Sequence, residues 1–383
     1  MFEIFKRFFL LGWVSFGGPA AHIGYFRNEF VQKRGWISEE EYAQLIALSQ
    51  FLPGPGSSQV GFALGYHRKG LLGALLASIS FTLPSILIMV LLANISHSFF
   101  GNAVFEGVIH GLKLLAVVVV ADAIMGMYKS FCKDKLTILL CIMTATLLLV
   151  VPSITTQLIA LLIAALIGRF YLKSDDKEQI EQDSKGINWL PLIIFALCFF
   201  VLPAVISHSP LLGLFSDFFQ AGSLVFGGGH VVLPLLQNIV GDQVSTDSFL
   251  TGYAAAQAVP GPMFTFATFL GYELWSEQPV LGALIATVAI FLPGFLLVLG
   301  VFSHWQVLAQ KPALAGAITG INASVVGLLI AALYDPVFTS AVGSGLDMAL
   351  VIIGFALLKV LKLPIVGLVS FFIAIGAALP FIA

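Results

Sequence analysis

Apolar residues in this chain come in long runs rather than in alternation. Four runs, roughly 70–93, 104–128, 136–151 and 155–172, fill the first half, and four more, roughly 279–303, 312–334, 346–360 and 364–382, fill the second. At 1.5 Å per residue most of them reach across a hydrocarbon layer of about 30 Å, so they predict membrane-crossing helices. The run 136–151 is slightly short for this. A ninth run, 190–207, has no counterpart, and the polar stretch 173–188, beginning Lys173-Ser174-Asp175-Asp176-Lys177-Glu178, predicts a solvated linker between the halves.

The first 70 residues of each half are patterned differently. Residues 42–52 and 57–66 flank Pro53-Gly54-Pro55-Gly56, and residues 5–15 and 20–30 flank Phe16-Gly17-Gly18-Pro19. Each flank is about 11 residues, or roughly 16 Å of helix, too short to cross. Proline removes a backbone donor and glycine permits open turns, so each pair predicts a broken, re-entrant hairpin with its tip inside the membrane. Irregular backbone at that depth must be covered by protein or line a wet cavity.

The same pattern returns at an offset of 206 to 210 residues. Phe226-Gly227-Gly228-Gly229 repeats the first break, and Gln257-Ala258-Val259-Pro260-Gly261-Pro262 repeats Gln50-Phe51-Leu52-Pro53-Gly54-Pro55. Leu64-Gly65-Tyr66 returns as Leu270-Gly271-Tyr272, Gly73-Ala74-Leu75 as Gly282-Ala283-Leu284, and Leu83-Pro84 as Leu292-Pro293. A duplicated apolar half with broken segments at matching places points to a transporter whose site lies between the repeats. The expected fold is an all-α polytopic membrane protein of two inverted-topology repeats, each with two broken hairpins and about four transmembrane helices, joined by one extra helix. The units are residues 1–172, a linker with the connecting helix at 173–209, and residues 210–383.

Composition agrees: 59% of the residues are hydrophobic, 10% are charged, and the mean hydropathy is +1.01, which excludes a soluble domain. Net charge is −2, yet fifteen of the 18 Lys and Arg lie at or before Lys185, and only Lys311, Lys359 and Lys362 follow. The basic loops of half one face, at equivalent places in half two, Asp242 and Asp247, Glu273 and Glu277, and Asp335 and Asp347. By the positive-inside rule the halves have opposite orientations, with nine full crossings, a cytoplasmic N-terminus and an extracytoplasmic C-terminus. Lys6-Arg7 before an apolar run imitates a signal peptide, but the element returns near residue 217. Cys132, Cys141 and Cys198 lack metal or redox spacing.

The breaks also carry the candidate chemistry. A helix N-terminus offers unpaired N–H groups and about half a positive charge, and so holds anions. Gly18, Pro19, His22, Gly54, Gly56, Ser57, Ser58, Gly228, Gly229, His230, Gly261 and Thr265 stand at such ends, and Gln50 and Gln257 precede two breaks at equivalent positions. The bland reading is that glycine and proline only let helices pack closely. Lys113 lies well inside the run 104–128, where a cation costs at least about 2.5 kcal/mol and needs a partner or a cavity. It is either a counter-charge for an anionic substrate or half of an ion pair with Asp122 or Glu106. Asn322 holds the matching position in half two. His22, His110 and His230 could carry protons, although a lone membrane histidine is more often a packing residue. Glu39, Glu40 and Glu41 after Ser38 read as a capped helix start, and Trp36, Trp189, Trp275 and Trp305 as interfacial anchors. There is no metal-protease, nucleophile-elbow or Walker motif, so neither an enzyme nor a cofactor nor a metal is expected.

On Ser15-Phe16-Gly17-Gly18-Pro19 with Ala21-His22-Ile23, the Gln50 to Pro55 motif, Val225-Phe226-Gly227-Gly228-Gly229-His230 and the Gln257 to Pro262 motif, the chain resembles the chromate transporter family in its long, two-domain form, over nearly its whole length. That resemblance implies a bacterial or archaeal plasma-membrane protein that exports chromate and confers chromate resistance, with sulfate, a tetrahedral dianion of the same shape, as a competitor. The partners expected are that oxyanion and the lipid bilayer. A homodimer is compatible but unsupported by any feature, and no nucleic acid is expected. The alternatives are a sulfate or other oxyanion transporter and an anion channel of the same architecture.

Overall fold

The computed structural model describes all residues except Gly17, 99–101, 173–185, 206–208, Gly227, Gly228, 306–310 and Ala383. The expected linker therefore lies almost wholly outside the described residues, and so does Gly228. Among the described residues the chain is helical, with no strand.

Repeat one begins with α1 (Phe2–Val14), and α2 (Gly18–Phe26) follows the first break and runs on as a π-helical turn over Arg27–Lys33. α3 (Glu39–Phe51) starts in a capping box: Ser38 accepts from the Glu41 N–H, and the Glu41 carboxylate accepts from the Ser38 N–H at 3.0 Å. α4 (Gly56–Ser98) has two limbs, because the backbone leaves the helix at Lys69 and Gly70. Then come α5 (Ala103–Phe131), α6 (Lys135–Val150), α7 (Ile154–Tyr171) and the connecting α8 (Trp189–Val205). Repeat two follows in the same order: α9 (Pro210–Ser223), α10 (Val232–Val240), α11 (Thr246–Ala258), α12 (Phe266–Leu274), α13 (Pro279–Val301), α14 (Pro312–Ala332), α15 (Gly345–Lys359) and α16 (Ile365–Ile382). The helices over Gly56–Ser96, Ala103–Phe131, Pro279–Val301 and Pro312–Ala341 are long and apolar enough to cross a membrane.

The repeats interlock. α5 of repeat one packs on α15 and α16 of repeat two, and α14 of repeat two packs on α6 and α7 of repeat one. Small residues make this possible. A methyl built on Gly107 would run into the Gly376 carbonyl, and one on Gly316, its equivalent, into the Gly168 carbonyl. Within lipid there is little hydrophobic drive between helices, so such close backbone contact supplies much of the attraction. Thr144 and Ser324 add a hydroxyl pair at 2.8 Å across the α6–α14 crossing.

Buried apolar side chains form two cores. One gathers the broken helices of repeat one, with Phe8, Phe26, Phe30, Trp36, Tyr42 and Phe62, and takes from repeat two only Val298 and Val301 of α13 and their neighbours. The other joins α5, α6, α7, α14, α15 and α16 with the broken helices of repeat two. Trp36, one of the expected interfacial anchors, is held among protein side chains. It is 8% exposed, stacks on Phe30 at 4.6 Å, and carries the Arg68 guanidinium 5.2 Å from its ring. Trp189 is exposed, while Trp275 and Trp305 pack partly against the cores.

Candidate functional site

The four breaks meet. The Gly54 N–H donates to the Val225 carbonyl at 2.7 Å, and the Gly261 N–H donates to the Ser15 carbonyl at 2.9 Å. Each repeat's Pro-Gly-Pro break thus holds the residue just before the other repeat's glycine-rich break. Both glycines stand at positive φ, +123° and +99°, where a side chain is strained. Space is also short there: a Cβ on Gly54 would lie 3.0 Å from Gly294 Cα, and one on Gly261 would lie 2.8 Å from Ser85 Oγ. Ser85 and Gly294 follow the equivalent Pro84 and Pro293. A Cβ on Gly229 would lie 3.5 Å from Pro19 and 2.9 Å from Met263. Residues of three breaks therefore crowd one point.

Four helix starts consequently point inward: α2 at Gly18, α4 at Gly56, α10 behind a short turn at Gly229–Val231, and α12 behind one at Met263–Thr265. Segments 15–22, 50–59, 225–230 and 257–265 contain no Asp or Glu. Within these segments the charge comes from backbone donors, which favour an anion, while Asp122 of α5 lies within electrostatic reach of His230.

The side chains divide into held and unheld. His22 is fully buried; its Nδ1 lies 3.1 Å from Ser57 Oγ, its Nε2 lies 3.1 Å from the Ser15 carbonyl, and its ring meets Phe81 edge-on. The Ser15 carbonyl thus serves both His22 and Gly261. Thr265 is occupied too, donating to the Pro262 carbonyl at 2.8 Å. His230 Nδ1 lies 3.1 Å from the Tyr253 hydroxyl and 3.4 Å from Gln257 Nε2, which also reaches Met263 Sδ at 2.7 Å. By contrast, the hydroxyls of Ser15 and Ser58 are buried with no partner among the described residues. Gly18 faces open space, with nothing within 4 Å of a built Cβ, and Gln50 is exposed although it sits beside the break. Ser15 is the residue that sequence reasoning left out of the site. Its one signal was its place directly before the first break.

Lys113 stands apart from the breaks. It is 8% exposed and its ammonium pairs with Asp247, in the first turn of α11, rather than with Asp122 or Glu106. Asp122 pairs with Lys359, and His110 Nε2 lies 2.6 Å from Asp347 Oδ1. Asn322 is buried at the matching position on α14, and its Oδ1 has no partner among the described residues. A cavity of about 500 Å³ opens between α6, α10 and α14, lined by Pro152, Gln237, Asn238, Asp242 and Asp335 among others. No break residue lines it. Among the described residues no group of three His, Cys, Asp or Glu is placed to hold a metal.

Comparison with known proteins supplies the family. The family profile described as chromate transporter matches residues 2–169 and again 212–379. The chain is 31% identical, over 341 residues, to a probable chromate transport protein of Synechococcus elongatus, covering 86% of this chain and 83% of that one. It is 28% identical to a chromate transport protein of Pseudomonas aeruginosa, covering 87% and 80%, and 27% identical to an uncharacterized transporter of Methanocaldococcus jannaschii, covering 86% and 82%. No solved structure matches. A profile that fits twice, once across each half of a helical membrane protein, makes this chain a member of the chromate transporter family.

Proposed function

We propose that the protein is a secondary transporter that moves chromate outward across the plasma membrane by alternating access, so that a cell carrying it resists chromate. One observation carries this reading beyond family membership. Reciprocal backbone hydrogen bonds draw together four helix starts whose own segments carry no Asp or Glu. A tetrahedral dianion needs several donors from several directions, and backbone N–H groups at converging helix starts supply them without a titrating side chain.

In this reading the units are 1–172 and 210–383, with 173–209 as linker and connecting helix. The reversal of basic residues between the halves supports inverted orientations, with the N-terminus cytoplasmic and the C-terminus extracytoplasmic. N–H groups around Gly18, Gly56 and Gly229, and those that follow Gly261 as far as Phe264, hold the oxyanion, the Gly261 N–H itself being given to the Ser15 carbonyl. Ser57, Ser58, Gln50 and Gln257 add hydrogen bonds, and Pro19, His22, Gly54, His230 and Thr265 shape the surroundings. Lys113 supplies fixed positive charge to the path once its tie to Asp247 opens.

The test is chromate uptake into everted membrane vesicles. Wild-type protein should give saturable uptake that excess sulfate reduces, and inserted Lys113→Ala protein should give much less. Uptake that never saturates would mean a channel. Sulfate uptake without chromate uptake would reassign the substrate.

A further inference from the structure

The two repeats have the same elements but not the same exposure. In repeat two, α11 is buried from Phe249 to Ala256 and lies against α5 and α16. Its equivalent in repeat one, α3, makes its substantial contacts with α4 and the turn after α2, and has no comparable seat on α14 or α7. One face of α3 is accordingly exposed along its whole length: Glu40, Ala43, Gln44, Ala47 and Gln50. Their spacing of three and four residues makes one helical stripe.

The composition of that stripe identifies what it faces. Where this protein meets lipid it shows large apolar side chains, as Leu71, Leu72, Leu75 and Ile79 do on the second limb of α4. No large apolar side chain is exposed on α3. A polar, small-residue stripe ending at the break, on a helix too short to span, faces water and not acyl chains. The stripe leads to Gln50 and so to the break, near which Gly18 also faces open space. On the other side Lys113 ties α5 to the first turn of α11.

We propose that this structure is the inward-facing state: the Glu40, Ala43, Gln44, Ala47 and Gln50 face of α3 lines a water-filled path from the cytoplasm to the breaks, while α11, latched by Lys113 and Asp247, seals the opposite side. This rests on the orientation and transport reading given above. It adds Gln44 and Ala47 to the residues the substrate passes. The separate core of the repeat-one broken helices lets that group swing as a body about its contacts with α13, α12 and the repeat-two breaks, seating α3 on α14 when the cytoplasmic side closes.

The experiment uses single cysteines in protein whose Cys132, Cys141 and Cys198 are replaced by serine, probed with a membrane-impermeant maleimide. Gln44→Cys and Ala47→Cys should react in everted vesicles and not in right-side-out ones. Thr251→Cys, at the position equivalent to Gln44, should react in neither. Adding Asp247→Asn should raise Thr251→Cys labelling in right-side-out vesicles by about tenfold, because loss of the latch favours the opposite state. Labelling after denaturation in detergent confirms that each protein is present and reactive. Gln44→Cys and Ala47→Cys protein that reacts from neither side, or from the outside, would overturn the inference. So would Thr251→Cys labelling that ignores Asp247→Asn. If labelling follows the expected pattern but vesicles take up no chromate, the water-filled path stands and the substrate reading fails. If uptake is normal and labelling is not as expected, the reverse holds.

Discussion

The broken helices of repeat one form a body with its own core, whereas their counterparts in repeat two are absorbed into the core of the long helices. Tyr253 on α11 is fully buried with neighbours buried on both sides, but Gln44 and Ala47 on α3 are exposed. Two copies of one design thus sit in two environments within one molecule. The difference teaches that the bonds between breaks are independent of how the helices leading to them are seated. Gly54 and Gly261 make the same exchange, although one belongs to an exposed hairpin and the other to a buried one.

That comparison can be broken most directly at the breaks. Gly54→Val and Gly261→Val should each destabilise the protein severely, since a strained backbone costs about 1–3 kcal/mol and overpacking about as much again. Gly18→Ala, also at positive φ but facing open space, should cost only about 1 kcal/mol. Melting temperatures in detergent would show it, and equal losses at Gly18 and Gly54 would mean that crowding is not the cause. Next in size are the crossings. Gly107→Leu and Gly316→Leu should each cost about 1–3 kcal/mol by forcing helices apart. A loss at one and not the other, read by the same melts, would end the claim of a reciprocal clasp.

The serines sharpen the comparison between holding and binding. Ser57→Ala should cost about 1 kcal/mol of stability because His22 loses a partner. Ser58→Ala should leave stability within about 0.5 kcal/mol and lower chromate uptake about tenfold, if that unpartnered hydroxyl meets the dianion. Unchanged uptake by Ser58→Ala would remove it from the site. The smallest effect concerns Glu41. Hydrogen bonds from the Ser38 backbone and hydroxyl hold its carboxyl below the usual carboxylate range. A lowered folded-state pKa means that the stabilisation is present above the unfolded pKa and is lost as pH falls through the folded one. Glu41→Gln should therefore cost a few tenths of a kcal/mol at neutral pH, and melts at falling pH should bring the two proteins together.

The apolar runs and the repeated breaks were legible in the sequence because length and Gly/Pro chemistry are local. Ends such as Ala103, Lys135 and Gly345 lie within a residue or so of the run boundaries, and the Ser38 cap formed as its spacing implied. The pairing of Lys113 was not legible. Asp247 is 134 residues away, and only the clasp of α5 against repeat two brings them together. The contact of Trp36 with Arg68 was not legible for the same reason: only the fold brings the guanidinium to its ring. The partnering of His22 and the freedom of Ser15 and Ser58 depend on which hydroxyl points where, and sequence does not encode that separately.

The clasp of α5 by α15 and α16, and of α14 by α6 and α7, has a consequence for how the protein is made. When α7 leaves the ribosome, the helix it is shaped to receive has not yet been synthesised. The first repeat must wait in the bilayer with its glycine face uncovered, sheltered only by lipid or by a chaperone of the insertion machinery. Closure of the clasp is then a late event, and a ribosome that stalls in the second repeat leaves inserted but unclasped helices for proteases to find.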